Sequence, residues 1–473
     1  MPLAKTLDLL DKSIPPRKII LFLAWPTIVE QILQTLVQYV DTAMVGSLGA
    51  TATAAVAVGT SSIWLINGVM NAVAIGFAVQ IARYIGAGEL DRVKRIMTQA
   101  VLAIAVGGLF FTGLMELIAP HLPHWLGAEA AVVPLATSYL RWFGSAYLFN
   151  MAMVVCSNVL RCSGDTKTPL FFNAITNVLN VVGNFLLIFP TREITVFGSS
   201  FTMWGAGLGV TGAAISTAAS FAFSGLALLG AVYFRESPIR IPIRSSYRPD
   251  KHVLREVARL GTPNALERMT LSFGQIAMTA LVTGIGTTAL AAHHLAITAE
   301  SISYLPCFGF SAAATTLVAQ ALGAGETELA TRYGRLCTIY GTVLMTVAGA
   351  LMFIFARGLM SIFTGEAAVL DLGAGVLRIE ALAEPFFALS MVIPGVLRGA
   401  GDTKWPFYIS VIGMWGVRLI SAYILAYPLG LGLTGAWIGM VLDLVVRGVL
   451  SVIRFATGKW KNAWTSSKNA KSA

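Results

Sequence analysis

Four polar side chains recur at helical spacing within the first long apolar stretch of the chain. They are Glu30, Gln34, Gln38 and Asp41, at successive steps of 4, 4 and 3 residues. Because an α-helix completes a turn every ~3.6 residues, these side chains are expected to share one helix face. A carboxylate at the centre of a bilayer costs ~2.5–3.5 kcal/mol, so Glu30 and Asp41 are expected to face water or a polar partner.

A second polar stripe follows within the fifth apolar stretch. It consists of Asn173, Asn177, Asn180 and Asn184, at steps of 4, 3 and 4 residues. Lipid would leave amides without hydrogen-bond partners, so the two stripes are expected to face each other or water. An alternative is that these asparagines do no more than hold neighbouring helices together.

The composition requires lipid as part of the solvent. Of 473 residues, 56% are hydrophobic and 12% are charged, and the mean hydropathy is +0.74. A soluble protein would carry about 25% charged residues. Stretches of about 20 apolar residues, each long enough to cross the hydrocarbon, predict an all-α membrane protein with twelve transmembrane helices. The expected spans are 19–45, 54–80, 96–119, 132–158, 169–190, 205–234, 257–283, 291–317, 334–357, 371–395, 405–427 and 433–455.

The net charge of +10 is explained by the distribution of basic residues relative to the membrane and does not indicate nucleic-acid binding. Basic residues fall in alternate loops and at both ends, whereas the opposite loops carry little beyond Arg192 and Arg357. Because cytoplasmic loops retain the excess of Lys and Arg, both termini are expected in the cytoplasm. A multi-pass protein of the bacterial inner membrane, acting as a monomer, is the expectation.

An internal repeat fixes the expected architecture. Pro26 returns as Pro263, and Gly49 returns as Gly286, each 237 residues later. Each half holds six expected spans, so the halves are parallel repeats, and two such lobes are expected to enclose a central cavity. The expected domains are an N-terminal lobe at 1–233, a cytoplasmic linker at 234–256, and a C-terminal lobe with a basic tail at 257–473.

Duplicated short motifs carry a family resemblance. Leu-Arg-x-x-Gly-Asp-Thr-Lys occurs at 160–167 and 397–404, Gly-Ala-Gly-Glu occurs at 86–89 and 323–326, and Val-Asp-Thr occupies 40–42. With the twelve spans, the sequence resembles the multidrug and toxic compound extrusion family. The resemblance implies an antiporter that uses H⁺ or Na⁺ entry to expel small amphipathic, often cationic, organic compounds. No cofactor is implied beyond the coupling ion.

The resemblance also implies a coupling-ion site in the first lobe. It assigns the ion-binding carboxylate to Asp41, with Asn180, Asn184 and Thr217 as its partners. Several relatives of the DinF-like branch carry a second Asp at the Asn184 position. The site here would therefore hold one negative charge, which suits one Na⁺ or one proton.

The second lobe repeats the scaffold without repeating this carboxylate, since Met278 stands where Asp41 would recur. Glu267 and Glu384 are candidate contacts for cationic substrates, whereas His293 is either a packed core residue or a proton relay. Asp443 and Arg447 are four residues apart and are interpreted as a structural pair. The full predicted substrate cavity comprises Glu30, Gln34, Gln38, Asn173, Asn177, Glu267, Gln275, His293, Glu300 and Glu384.

Other function classes fit the sequence less well. No Gly-x-x-x-x-Gly-Lys-Ser/Thr run is present, which excludes ATP as a direct driver. The sequence also lacks the His-Glu-x-x-His and Gly-x-Ser-x-Gly motifs of membrane enzymes. A flippase for lipids or lipid-linked precursors is the second hypothesis, although it would be expected to show a basic cavity for phosphate. A channel is distinguished from an antiporter by flux that does not saturate.

The charge asymmetry predicts the topology. Cysteines introduced singly at Ser245 and Ser199, in a background without the four native cysteines, should react with a membrane-impermeant maleimide from opposite sides of the membrane. The reason is that the 235–259 segment is strongly basic and the Ser199 loop is not. Labelling of both positions from the same side would contradict the predicted orientation.

Overall fold

A computed structural model of the protein describes residues 9–196, 199–235, 237–242 and 247–464. Ser245, which is predicted to be cytoplasmic, lies outside these ranges. In the described ranges the chain is predominantly helical. The helices are α1 (Pro16–Gly46), α2 (Ala50–Gly86), α3 (Leu90–Ile118), α4 (Leu122–Trp125), α5 (Val133–Ser145), α6 (Tyr147–Cys162), α7 (Lys167–Leu187), α8 (Gly209–Phe234), α9 (Lys251–Thr283), α10 (Thr287–Gly323), α11 (Thr327–Ser361), α12 (Ala367–Ala381), α13 (Glu384–Gly399), α14 (Lys404–Val411), α15 (Leu419–Ala426) and α16 (Gly432–Ala456).

The twelve predicted spans correspond to these helices one by one. Within the described residues, nine helical stretches are long and apolar enough to cross a membrane, and α5 with α6 adds a tenth that bends by 50°. The remaining two spans are α9 and the α12–α13 pair, which carry more charged residues. The prediction of a twelve-span helical membrane protein is confirmed.

Two local features were not predicted from the sequence, a β-hairpin in a loop and a π-helical turn within a span. The longer outer loop of the first half forms an antiparallel hairpin, β1 (Pro190–Val196) with β2 (Ser199–Ala206), in which Pro190 is opposite Ala206. In the eleventh span, a π-helical turn at Ile412–Arg418 joins α14 to α15. Such turns insert one extra residue per turn and are frequent at functional sites.

The described chain divides into two compact units. The first contains residues 29–81 and 90–257, and the second contains 9–28, 82–89 and 258–464. The described part of the linker therefore packs with the first unit. There Gln99 of α3 donates to the Arg248 carbonyl at 2.8 Å and accepts from the Asp250 amide at 2.9 Å. The predicted boundaries at 233 and 256 stay a prediction.

The duplicated Arg of the two motifs has a duplicated partner. Arg161 at the end of α6 donates to Glu30 of α1 at 3.1 Å. Arg398 at the end of α13 donates to both oxygens of Glu267 of α9 at 2.8 and 2.9 Å. Each pair is separated by 131 residues, so the repeat found in the sequence is also a repeat of ion pairs.

The duplicated Asp of the same motifs pairs with the last helix of its own half. Asp165 accepts from Arg235, just beyond α8, at 2.5 Å. Asp402 accepts from two nitrogens of Arg454 in α16 at 2.9 and 2.7 Å. Each eight-residue motif therefore connects three helices of its half through one acid and one base.

The paired Gly-Ala-Gly-Glu segments lie at the ends of α2 and α10, and their two glycines differ. Gly88 and Gly325 have positive φ angles of 72° and 79°, which suits the left-handed residue after a helix. Gly86 and Gly323 are the last residues of α2 and α10 and have ordinary helical backbone angles. A Cβ atom on Gly86 would lie 2.0 Å from the Gln320 carbonyl oxygen, so this glycine permits close packing of two backbones in the second unit.

Gly183 provides a similar close approach between α7 and α8, the helices that carry most of the predicted ion site. A Cβ atom at Gly183 would lie 2.4 Å from the Ser216 hydroxyl oxygen. We expect Gly183→Ala to lower the melting temperature in detergent, because overpacking at such contacts costs about 1–3 kcal/mol. Adding Ser216→Ala should recover part of the loss.

Gly230 of α8 is the matched control, since a Cβ atom there meets nothing within 4 Å. Gly230→Ala should leave the melting temperature unchanged or slightly raised, because alanine is the better helix former. Equal effects of the two substitutions would show that the α7–α8 contact is not tight at Gly183.

Candidate ion-coupling site

The two polar stripes meet at the carboxylate of Asp41. The Asn184 amide nitrogen of α7 donates to Asp41 Oδ1 of α1 at 2.5 Å. Asn184 is 1% exposed, whereas Asp41 is half-buried, so the carboxylate lies at the edge of the packed interior. Both residues belong to the first unit.

Asn180 completes the amide side of the site. With its amide nitrogen turned toward the carboxylate, Asn180 donates to the two Asp41 oxygens at 2.8 and 3.2 Å. In that orientation its oxygen accepts from the Thr217 hydroxyl of α8 at 3.1 Å. This orientation satisfies both ends of the amide, whereas the reverse would point oxygen at oxygen. The structure thus brings together all four residues of the predicted ion site.

Ser216 was not singled out from the sequence, although it holds the site in place. Its hydroxyl donates to the backbone carbonyl of Asn180 at 2.8 Å. A Ser-Thr pair in an apolar helix was a usable signal, because neighbouring hydroxyls on α8 can serve two different partners. Here Ser216 fixes the α7 backbone while Thr217 fixes the Asn180 side chain.

The site presents one negative charge to neutral donors. Among the described residues Asp41 makes no ion pair, and the buried Asn184 Oδ1 atom has no hydrogen-bond partner. Carboxylate, amide and hydroxyl oxygens are the hard ligands that alkali and alkaline-earth cations prefer. One proton on Asp41 would neutralise the charge in the described arrangement, whereas Na⁺ would require the amides to turn their oxygens toward it.

Glu30 of α1 and Asn173 of α7 form a second polar contact between the same two helices, and an arginine compensates the charge of Glu30. Asn173 of α7 donates to Glu30 Oε1 at 2.5 Å and accepts from Ser224 at 3.3 Å. Arg161 donates to the same Glu30 oxygen. Glu30 is therefore paired within its unit.

The predicted single stripe on α1 therefore divides in two. Glu30 and Asp41 turn toward α7, whereas Gln34 and Gln38 are exposed. On α7, the buried Asn177 amide nitrogen has no partner among the described residues. Shared helical spacing placed these residues on one side of a helix without specifying which neighbour each one meets.

In the second unit, the acids predicted for substrate binding are buried. Glu267 is 5% exposed, and both of its oxygens are bonded to Arg398. Glu384 is fully buried, with its Oε1 atom accepting from Ser303 and its Oε2 atom without a partner among the described residues. Glu300 is 5% exposed, whereas Gln275 is half-exposed.

Three further charges of the second unit form a buried network. Asp443 accepts from Arg447 at 2.7 and 2.8 Å, which confirms the structural pair. It also accepts from Arg418 at 2.8 Å, a partner that the sequence did not indicate. Arg418 is the last residue of the π-helical turn. Glu380, not among the predicted site residues, is 1% exposed, and neither carboxylate oxygen has a described partner.

His293 is a packed residue in the described arrangement. It is fully buried, and the Trp437 indole nitrogen donates to its Nδ1 atom at 3.1 Å. An accepting Nδ1 places the proton of a neutral imidazole on Nε2. This agrees with the core alternative for His293.

Comparison with known proteins identifies the family. The MatE family model matches residues 26–186 and again 263–424, the two halves of the internal repeat. The chain belongs to the MatE family. The resemblance inferred from the duplicated motifs is thereby confirmed.

MatE relatives match the chain along almost its whole length. A NorM protein of Thermotoga maritima, named as a probable multidrug resistance protein, is 31% identical over 94% of this chain and 93% of its own. The multidrug resistance protein MdtK of Edwardsiella ictaluri is 28% identical over 92% and 94%. An outward-facing multidrug resistance MATE transporter has a similar solved structure, with a TM-score of 0.87, 22% identity, and coverage of 97% of this chain and 100% of that one. At that identity the structure supports the fold alone.

The ion pair with Arg398 predicts that Glu267 stabilises the fold, which can be distinguished from a role in substrate binding. Glu267→Gln should lower the melting temperature in detergent strongly, because leaving one partner of a buried ion pair uncompensated costs about 3–5 kcal/mol. Combining it with Arg398→Leu should restore most of the stability. Glu326→Gln is the control, because its 2.8 Å pair with Lys12 is exposed and should contribute ~1 kcal/mol or less.

An unchanged melting temperature for Glu267→Gln, together with a selective loss of resistance to cationic compounds, would contradict this expectation. That outcome would support the predicted role of Glu267 in binding cationic substrates.

Proposed function

We propose that this protein exports small amphipathic organic compounds across the bacterial inner membrane by antiport with H⁺ or Na⁺. It acts as a monomer with both termini in the cytoplasm, and its direct partners are its substrates and the bilayer. The family membership and the multidrug resistance names of its relatives support the export function.

One observation carries the ion-coupling part of the proposal. Asp41 is held by two asparagine amides, with no arginine or lysine paired to it among the described residues. Amide donors stabilise a carboxylate, but they do not cancel its charge, so the site retains affinity for one monovalent cation. Glu30, three turns away on the same helix, lacks this property because Arg161 already compensates it.

The chemical consequence of ion binding is a change in the α1–α7 contact. An Asp41 that has taken up a proton or Na⁺ no longer needs both amide donors, so the 2.5 Å bond from Asn184 weakens or rearranges. The ion can drive transport only by binding one conformation of the protein more tightly than another. We assign that difference to the α1–α7 contact.

The predicted substrate residues divide by exposure. In the described arrangement, Gln34 and Gln38 are exposed and Gln275 is half-exposed, so these amides can reach a substrate. Glu300, Glu384 and His293 are packed inside the second unit. We therefore propose that amides supply the direct polar contacts, and that buried acids act on substrate charge from a distance.

Removing the Asp41 charge tests the coupling proposal. Asp41→Asn, reconstituted in liposomes with an imposed pH or Na⁺ gradient as the sole energy source, should lose gradient-driven efflux of a fluorescent substrate. The loss should exceed tenfold, because the variant cannot exchange an ion at this position. Its melting temperature and its equilibrium binding of substrate should change little, since Asn is nearly isosteric with Asp.

Asn184→Asp is the matched variant, since it adds a second carboxylate beside the first. Two close acids repel each other, so the pH or Na⁺ dependence of efflux should shift while transport persists. If Asp41→Asn still accumulates substrate against its gradient with unchanged ion dependence, the coupling site lies elsewhere. The buried Glu300 and Glu384 would then be examined first.

A further inference from the structure

The last described residues of the chain fold back onto the second unit. A 3₁₀ turn at Lys459–Asn462 follows α16. The Trp460 indole nitrogen donates to the Phe455 carbonyl at 2.9 Å, and the two rings stack with centroids 5.4 Å apart. Trp460 is fully buried, and Trp464 is 5% exposed. We call residues 458–464 the C-terminal strap.

Trp464 lies against two arginines from distant parts of the sequence. The guanidinium carbon of Arg83, in the last turn of α2, is 4.8 Å from the centroid of the Trp464 ring. That of Arg259, in α9, is 5.2 Å from the same ring. Both distances lie within the ~6 Å over which an aromatic face attracts a cation. Because the two guanidinium groups are close enough to repel each other, the ring offsets a repulsion that would otherwise favour separation of α2 from α9.

The surroundings of Trp464 are shaped to hold its ring. Gly401, in the second Gly-Asp-Thr-Lys turn, leaves room for it, since a Cβ atom there would lie 2.9 Å from a ring carbon. The buried Nη1 atom of Arg83 has no hydrogen-bond partner among the described residues. The ring therefore compensates a charge that hydrogen bonds in the described part of the chain do not fully satisfy.

Helix α2 is divided between the two units. Its residues up to 81 belong to the first unit, whereas 82–89 belong to the second. Within the second unit the end of α2 packs on α10, because Gly86 and Gly323 carry no Cβ atom that would overlap the other backbone. The glycines permit this contact, and the cation–π pairs of Trp464 add an attraction that maintains it.

The first repeat has no counterpart of this contact in its described residues. After α8, which corresponds to α16, the chain buries Ile239 and Ile241 in the first unit. Aliphatic side chains have no π face and cannot attract an arginine in this way. The aromatic strap is thus specific to the second repeat, the one that receives the end of a helix from the other unit.

We propose that Trp464 is a positioning residue for transport. The C-terminal strap holds the last turn of α2 to the second unit in the described conformation and releases it when the protein changes conformation. Alternating access requires the two repeats to move, so a helix divided between the units must exchange contacts during the cycle. A contact made in one conformation alone sets how far the other is populated. This inference rests on the proposed export function, although its first test needs no substrate.

The test measures how often the end of α2 is released. Ala82, which is fully buried in α2, is replaced by Cys in a background that retains Cys156 as its one native thiol. Cys156 is buried in the first unit and reports unfolding. Maleimide labelling of the two thiols is followed in detergent by mass spectrometry of their peptides. Trp464→Ala should raise the labelling rate at position 82 about tenfold, because two partly buried cation–π contacts are lost, and leave Cys156 within about twofold.

Matched variants separate the cation–π attraction from simple packing. Trp464→Phe keeps a π face and should label at position 82 within about threefold of the wild-type rate, whereas Trp464→Leu keeps apolar volume alone and should resemble Trp464→Ala. Adding Arg83→Gln to Trp464→Ala should cause little further increase, since the same contact is already absent. Equal labelling in the Phe and Leu variants would overturn the proposal, and so would a rise at both thiols, which indicates unfolding.

Efflux from liposomes with an imposed ion gradient tests the role in transport. Turnover at saturating substrate should fall at least ~3-fold in Trp464→Ala and Trp464→Leu, because the return to the described conformation becomes less favourable, and should be retained in Trp464→Phe. Unchanged turnover in the first two variants would contradict the proposal. If the wild-type protein drives no efflux, the export function itself fails, and the labelling result separates that failure from the contact made by Trp464.

Discussion

A carboxylate inside a membrane must be matched by a positive charge or by hydrogen-bond donors, and the choice between these two determines what each acid of this protein can do. Glu30, Glu267 and Asp443 are paired with arginines, so their charge is already compensated and they serve to connect helices. Asp41 receives amide donors instead. Dipoles stabilise the charge without cancelling it, and a net charge that persists in a low-dielectric setting attracts a small cation. The ion site is therefore defined as much by the absence of an arginine among its described neighbours as by Asp41 itself.

The two repeats have placed their unpaired acids at different positions of one scaffold. The first has Asp41 where the second has Met278, which is fully buried in an apolar cluster. Conversely, Phe143 and Tyr147, whose rings pack 5.7 Å apart, stand where the second repeat has Glu380 and Glu384. The arginine-paired Glu30 and Glu267 correspond to each other in the two repeats, while Asp41, Glu380 and Glu384 have no acidic counterpart. This is the pattern expected when the paired acids maintain the fold and the others carry separate tasks.

The fold could be predicted from the sequence because it depends on periodicity, whereas the ion-binding role of Asp41 came from the family resemblance and stays a prediction. Apolar length gave the spans, and helical spacing brought Asp41 and Asn184 to facing sides of α1 and α7. It failed where the answer depends on which helices are neighbours. The pairing of Glu267 with Arg398 joins residues 131 positions apart, and no local pattern records it. The π-helical turn that delivers Arg418 to Asp443 changes the helix register, so even correct counting would have placed Arg418 on another face.

The proposed coupling depends on the binding of one monovalent ion at Asp41 of the first unit. The most direct measurement counts ions bound by the purified protein, with Na⁺ followed by isothermal titration and protons followed by release to a pH indicator. We expect the count to fall by one when Asp41 is replaced by Asn, with the protein still folded. An unchanged count in that variant would show that the ion does not bind at Asp41.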